Sequence, residues 1–187
     1  SGVMDAPMTG RYEMYPAGGT RVEDLRDSGN SIATLALGSF ASGDGAWELE
    51  RKCHVPVTEL LTPIGVKATD AFLMALSRLT GKPVPATVEE ERGQVVDLMV
   101  DCHYHYHGKS VALYGDPDFV IAMTEFLLSL GMVPKFVLTG TPGESFTRTV
   151  QQLLDAAGVT GSKVLAAGDL FTLHQWMNES PVDLGIV

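Results

Sequence analysis

The chain has few cysteines, few basic residues and no long apolar run, and each shortage removes a class of function. Cys53 and Cys102 are its two thiols. They show no Cys-x-x-Cys spacing, which argues against a metal or redox pair and suits small core residues. Two thiols far apart in a helix-rich chain fit a reducing cytoplasm, with a single disulfide left open. Thirteen Lys and Arg stand against 23 Asp and Glu, a formal net charge of −10. Phosphate binding needs a basic face, so nucleic acid and anionic membrane surfaces are poor partners. No apolar run reaches ~18 residues, so nothing is expected to span a bilayer. The opening Ser1-Gly-Val-Met-Asp-Ala-Pro7 has no basic stretch leading into an apolar one, as a secretory signal would. The chain does not open on Met, which suggests a piece of a longer protein.

The glycine patterns that cradle phosphates are also missing. Gly38-Ser-Phe-Ala-Ser-Gly-Asp-Gly45 sits between an expected strand and an expected helix, but Gly43 is followed by Asp44 and not by Lys. Gly115-Asp-Pro-Asp118 lacks the Gly-x-Gly-x-x-Gly pattern, and an aspartate at the turn would repel a pyrophosphate. Both stretches read as turn chemistry.

What is present describes a folded α/β chain. With 45% hydrophobic and 19% charged residues it is globular in composition. Its 187 residues suffice for one large α/β domain or two small lobes. Such a chain buries roughly 70% of its unfolded surface and needs no disulfide staples.

The organising stretch is Lys109 to Asp118. Val111 to Tyr114 is a short apolar, β-rich run suited to a covered parallel strand, and Gly115 ends it. Asp116 can accept the first free N–H groups of a helix, and Pro117 fits its first turn. Phe119, Val120, Met123, Phe126, Leu127 and Leu130 recur at helical spacing until Gly131, and Pro134 to Thr139 forms the next strand. This unit predicts a doubly wound parallel α/β fold, with functional loops at the carboxyl ends of strands.

Around it the alternation continues. Residues 1–30 read as a turn-rich lead-in with one helical turn at Val22 to Asp27. Ile32 to Leu37 and Val55 to Leu60 are strands flanking a helix from Ala46 to Cys53, although Pro56 weakens the second strand. A helix is expected from Thr69 to Leu79, with Phe72, Leu73, Leu76 and Leu79 on one face. Thr87-Val-Glu-Glu90 predicts a capping box opening a long helix whose seam is Val88, Val95, Met99, Cys102 and Tyr106. Thr141-Pro-Gly-Glu144 predicts a second box, ahead of a helix with Phe146, Val150, Leu153 and Leu154 inward. Lys163 to Ala166 is a strand, Asp169 caps a helix through Trp176, and Pro181 to Val187 is a last strand. The chain stops inside that strand, which again suggests truncation. Two lobes are expected: a smaller βαβ lobe with its lead-in over residues 1–66, and a larger α/β domain over 67–187.

Two clusters carry candidate chemistry. His103-Tyr-His-Tyr-His107 puts two imidazoles on one helix face, which fits either helix-end packing or the start of a zinc site. Asp97 and Asp101 are four apart, on one face with Glu90 and Gln94. Like charges at that spacing cost a helix a few tenths of a kcal/mol. They read either as a solvated face or as ligands to a hard cation whose other oxygens come from elsewhere.

At these residues the chain resembles a known family. Glu91-Arg-Gly-Gln-Val-Val-Asp97, Asp101-Cys-His103, His107-Gly-Lys109, Leu113-Tyr-Gly-Asp-Pro-Asp-Phe119 and Phe126-Leu-Leu-x-Leu-Gly131 resemble the beta chains of nitrogenase molybdenum–iron proteins. Met14-Tyr-Pro-Ala-Gly-Gly-Thr20, Asp70-Ala-Phe-Leu-Met74 and Gly81-Lys-Pro-Val-Pro85 extend the match upstream. Thr139-Gly-Thr-Pro-Gly143 and Gly168-Asp-Leu-Phe-x-x-His-Gln-Trp176 look like a shorter-chain branch of it.

The resemblance implies Rossmann-like, doubly wound parallel sheet units in a cytoplasmic α2β2 tetramer with a homologous alpha chain. It implies a separate ATP-hydrolysing iron protein as electron donor. It also implies a P-cluster at the alpha–beta boundary, and an iron–molybdenum cofactor in alpha where dinitrogen is reduced. This chain would be a middle-to-late part of beta. Cys53 and Cys102 match no P-cluster ligand position, and Cys102 replaces what is commonly serine. The piece is therefore expected to carry no cluster, no catalytic residue and no activity alone. Asp97 and Asp101 match aspartates that form half of a cation site where two beta chains meet, suited to calcium, or to iron at a less selective site. The 139–145 loop resembles part of the surface near which the iron protein docks, although a basic residue often stands at the position of Glu144. Cofactor-assembly scaffolds and the vanadium or iron-only enzymes share the fold and stay as alternatives.

Overall fold

The computed structural model describes residues 20–187, and the turn-rich reading of residues 1–19 lies outside them. Helix α1 (Val22–Arg26) and a 3-10 turn (Ser28–Asn30) precede a small parallel sheet of two strands, β1 (Thr34–Leu37) and β2 (Val57–Leu60). The connection between them is α2 (Gly43–Cys53). Pro56 does not spoil the ladder, because it stands just before β2 and offers its carbonyl to the Thr34 N–H at 2.8 Å. Ala36, Ala46 and Val55 are buried between sheet and helix.

Two helices follow, α3 (Gly65–Thr80) and α4 (Ala86–Tyr106). Then come β3 (Ser110–Gly115), α5 (Pro117–Ser129), β4 (Val133–Thr139), α6 (Glu144–Ala156), β5 (Lys163–Leu165), α7 (Leu170–Glu179) and β6 (Leu184–Ile186). The last four strands form one sheet in the order β5-β4-β3-β6, and every ladder in it is parallel. The order turns back at β3, so the last crossover, through α7, runs to the opposite side of the first strand. That reversal makes the sheet doubly wound.

Strand alternation explains the two core layers. Val111, Leu113 and Val137 point to the α5–α6 side and meet Val120, Ile121, Leu127, Phe146, Val150 and Leu154. Ala112, Phe136 and Leu138 point to the other side and meet Leu173 and Trp176 of α7. A register shift between Val111 and Ala112 accommodates Lys135, whose ammonium instead reaches the Ser180 and Pro181 carbonyls beyond the end of α7. Fully burying each large apolar side chain contributes roughly 1.5–3 kcal/mol, so these layers dominate the stability of the sheet.

Two expected devices are absent. Thr87 and Glu90 do not form a capping box: α4 starts at Ala86, with Pro85 as its cap and no side-chain cap bond. Thr87 is thus already inside the first turn, where its hydroxyl has no free N3 amide to reach. Thr141 and Glu144 fail for another reason. Gly143 is the cap and Glu144 already the first helical residue, so Thr141 stands two positions ahead of the place a capping box requires. Asp116 and Asp169 do cap, accepting from Asp118 N–H at 3.1 Å and Thr172 N–H at 2.7 Å. The expected α3 face is also only half covered. Phe72 and Leu73 are half-buried and Leu76 and Leu79 exposed, while the small Ala68 and Ala75 are the buried residues.

Candidate functional site

Helix α4 carries the predicted acidic pair. Its composition of Glu, Arg, Gln, Leu, Met and Val suits a helix, and it ends where His107 turns extended and Gly108 takes φ +74°. None of its 21 residues is buried. Its inner side is held by half-buried Val88, Met99, Cys102 and Tyr106, and the Tyr106 hydroxyl donates to the Met99 carbonyl. Arg92 reaches across to α3 and grips Asp70 with two hydrogen bonds of 2.8 Å. The guanidinium holds the Asp70 carboxyl below the usual carboxylate range. Between α3 and α4 lies an open, mainly apolar groove of about 480 Å³, bordered by Leu73, Val95, Leu98 and Phe126.

Asp97 and Asp101 lie on the outer side, both exposed, with Glu90 and Gln94 exposed beside them. Apolar residues flank the acidic stripe: Val100 is 69% and Tyr104 88% exposed. Among the described residues no three His, Cys, Asp or Glu converge to hold a metal ion. The two carboxylates can supply oxygen ligands on one side of a hard cation; a full shell needs oxygens from elsewhere.

The histidine cluster is a helix end. His103 and His107 stack with ring centroids 4.4 Å apart, and His103 meets Tyr106 edge-on at 5.7 Å. The His107 ring lies so close over Gly131 that a β-carbon there would stand 2.3 Å from Nδ1. Cys53 and Cys102 are both free, one exposed at the end of α2 and the other half-buried on α4.

The loop after β1 has an occupant from its own chain. Asp118 lies in the first turn of α5, only 6% exposed, and accepts from Phe40 N–H at 3.1 Å and Ala41 N–H at 2.7 Å. The amides that could meet a phosphate are taken by a carboxylate. The close approach requires glycine: Gly38 has φ +84°, and a β-carbon on it would stand 2.2 Å from Asp118 Cγ. Sequence reading missed this role, because the partners are 77 and 78 positions apart and no local periodicity reports such a contact. The one available signal was a second aspartate just past a cap, on an otherwise apolar helix.

The loop after β4 faces outward. Thr139 is buried and donates its hydroxyl to the Gly115 carbonyl, whereas every residue from Gly140 to Ser145 is exposed.

Parallel strands in a doubly wound order define a Rossmann-like α/β unit, and among the described residues its long helix α4 buries no side chain. Residues 2–186 match the family model described as nitrogenase component 1 type oxidoreductase. The nitrogenase molybdenum-iron protein beta chain of Clostridium pasteurianum is 57% identical over 98% of this chain and 40% of its own length. That of a Nostoc species is 40% identical over 100% of this chain and 36% of its own. A solved structure titled "Nitrogenase Cp1 at pH 6.5" superposes with a TM-score of 0.90 at 56% identity, covering 98% of this chain and 40% of that one. The chain belongs to the nitrogenase component 1 type oxidoreductase family. It spans about 40% of the length of the Clostridium relative.

Proposed function

We propose that the chain is part of the beta subunit of a nitrogenase molybdenum–iron protein, which with its iron protein reduces dinitrogen to ammonia. The observation that carries this is the 57% identity to such a beta chain across 98% of these residues. The relatives named above are molybdenum–iron beta chains, which disfavours the assembly-scaffold and vanadium or iron-only readings. The residues here do not fit an iron–sulfur cluster, which wants several thiolates together, so the P-cluster and iron–molybdenum cofactor are assigned to the rest of the complex. No helix among the described residues is long and apolar enough to cross a membrane, in keeping with a cytoplasmic complex. The separate two-stranded and four-stranded sheets support a division into lobes near residue 66.

In that complex the alpha chain and a second beta chain are the partners. Asp97 and Asp101 form one half of a cation site at the beta–beta contact, and the partner completes it with further oxygens. Their exposure on an unburied helix supports this reading. The 140–145 loop belongs to the face that the iron protein approaches; its exposure, and a Thr141 hydroxyl not used as a cap, favour contact over capping. The test is the Asp97→Asn, Asp101→Asn double variant of the complete tetramer. It should lose its bound calcium or iron by elemental analysis and dissociate more readily in sedimentation. Full cation occupancy and an unchanged tetramer would reduce the pair to a solvated helix face.

A further inference from the structure

Three carboxyl-end loops meet at one point of this fold. The loop after β1 brings Phe40, the start of α5 brings Asp118, and the loop after β4 brings Gly143. The edge of the Phe40 ring, at Cε1, lies 3.8 Å from where a β-carbon on Gly143 would stand. The ring is half-buried and also packs against the core layer under α5 and α6. Phe40 thus stands beside Gly143, within the exposed 140–145 segment. Elsewhere that segment is held by the Thr141 N–H on Thr139 Oγ1 at 3.3 Å and by the Ala167 N–H on the Thr141 carbonyl at 3.2 Å.

Phe40 stands where it does because its own amide is gripped. A buried carboxylate needs compensation, and Asp118 finds it in two neighbouring backbone donors. Charge-assisted bonds of this kind are roughly twice as strong as neutral ones. Gly38 lets the loop backbone come close enough, and Gly65 repeats the arrangement one helix further on. It has φ +77°, and a β-carbon there would lie 2.3 Å from the Phe126 ring of the same helix α5. The small sheet is therefore seated on α5 at two points, and the first also fixes Phe40.

We infer that Asp118 is a positioning residue: by clamping the Phe40 and Ala41 amides it holds the Phe40 ring beside Gly143 and sets where the 140–145 loop stands for a docking protein. The functional consequence rests on the iron-protein docking reading above. The positioning itself rests only on the contacts within this chain.

The test uses the complete complex with Asp118→Asn, Phe40→Ala and Glu144→Lys variants. Three quantities are read: hydrogen exchange of the 140–145 amides, the iron-protein concentration giving half-maximal dinitrogen reduction, and the salt dependence of iron-protein association in Glu144→Lys. Asp118→Asn and Phe40→Ala should each speed that exchange at least about threefold, with the β3 amides unchanged. Each should raise the half-maximal concentration about fivefold, with metal content and the rate at saturating iron protein unaltered. Should Asp118→Asn fail to assemble, Phe40→Ala carries the test. Unchanged exchange at 140–145 in Phe40→Ala overturns the inference. Faster exchange with an unchanged half-maximal concentration, and no salt effect of Glu144→Lys on association, supports the positioning and overturns the docking reading instead.

Discussion

Helices α4 and α5 are close in sequence and opposite in character. The first runs 21 residues and buries none of them. The second runs 13 and buries seven, including a charged one. α5 has a side-chain cap, a proline in its first turn and apolar residues on nearly all sides, as a helix wedged between a sheet and other helices must. α4 has no side-chain cap, a bidentate tether to α3, and an outer side where the carboxylates lie with exposed Val100 and Tyr104. The lesson is that helical spacing and length alone do not set how far a helix is covered: the neighbours packed on it do. Apolar residues flanking an acidic stripe suit a contact that is part dry and part ionic.

The contrast can be broken most forcefully by side-chain truncation. Leu127→Ala on α5 empties a fully packed site and should cost about 2–5 kcal/mol in chemical denaturation of this chain. Leu98→Ala on α4 should stay within about 0.5 kcal/mol. Similar costs at the two positions would mean that α4 is packed after all.

Helix starts give a smaller effect of the same sign. Asp116→Ala removes a real cap and should destabilise by about 1 kcal/mol, whereas Thr87→Ala should change almost nothing. A loss at Thr87 matching that at Asp116 would restore the capping box that the structure lacks.

The smallest effect sharpens the comparison at the tether. A double-mutant cycle on Arg92 and Asp70 should give a coupling of about 0.2–1 kcal/mol, since both side chains are partly exposed. The ion pair lowers the Asp70 pKa in the folded chain. Its contribution is therefore fully present above the unfolded carboxylate value of about 3.9 and is lost as the pH falls through the lower folded value. Hydrogen-exchange protection in α4, taken relative to the intrinsic rates at each pH, should fall over that acidic window. The Arg92→Ala chain should already show the lower protection at neutral pH. A coupling that persists below the window would show that packing, not charge, holds the two helices together.

Much of this fold could be read directly from the residues. Val111 to Tyr114, the Asp116-Pro117 start and the Gly131 stop each announce a strand or a helix end by local chemistry, and the structure places β3, α5 and β4 within a residue or two of those marks. The two capping boxes were not legible, because a Thr-x-x-Glu pattern cannot say whether Pro85 or Gly143 takes the cap first. The exposure of Val95 and Leu76 was hidden for a related reason: helical spacing marks an apolar side, not whether anything covers it. Asp97 and Asp101 were visible as a like-charged pair, but a pair alone offers half a ligand shell. The Asp118 clamp depends on a contact across 78 residues, which no window of sequence contains.

The strand order also constrains how the chain folds. β3 and β4 are joined by contacts only 24 residues apart, such as Thr139 to Gly115, and α5 packs over both as it forms. β6 must instead return across 73 residues to lie beside β3, where Asp183 accepts from both the amide and the hydroxyl of Ser110 at 2.8 Å. Closing that longer loop costs more chain entropy before any contact rewards it. During synthesis the α5 side of the sheet can consolidate first. The edge of β3 that β6 later covers then stays unpaired until β6 arrives, and in that interval it can mispair with another chain.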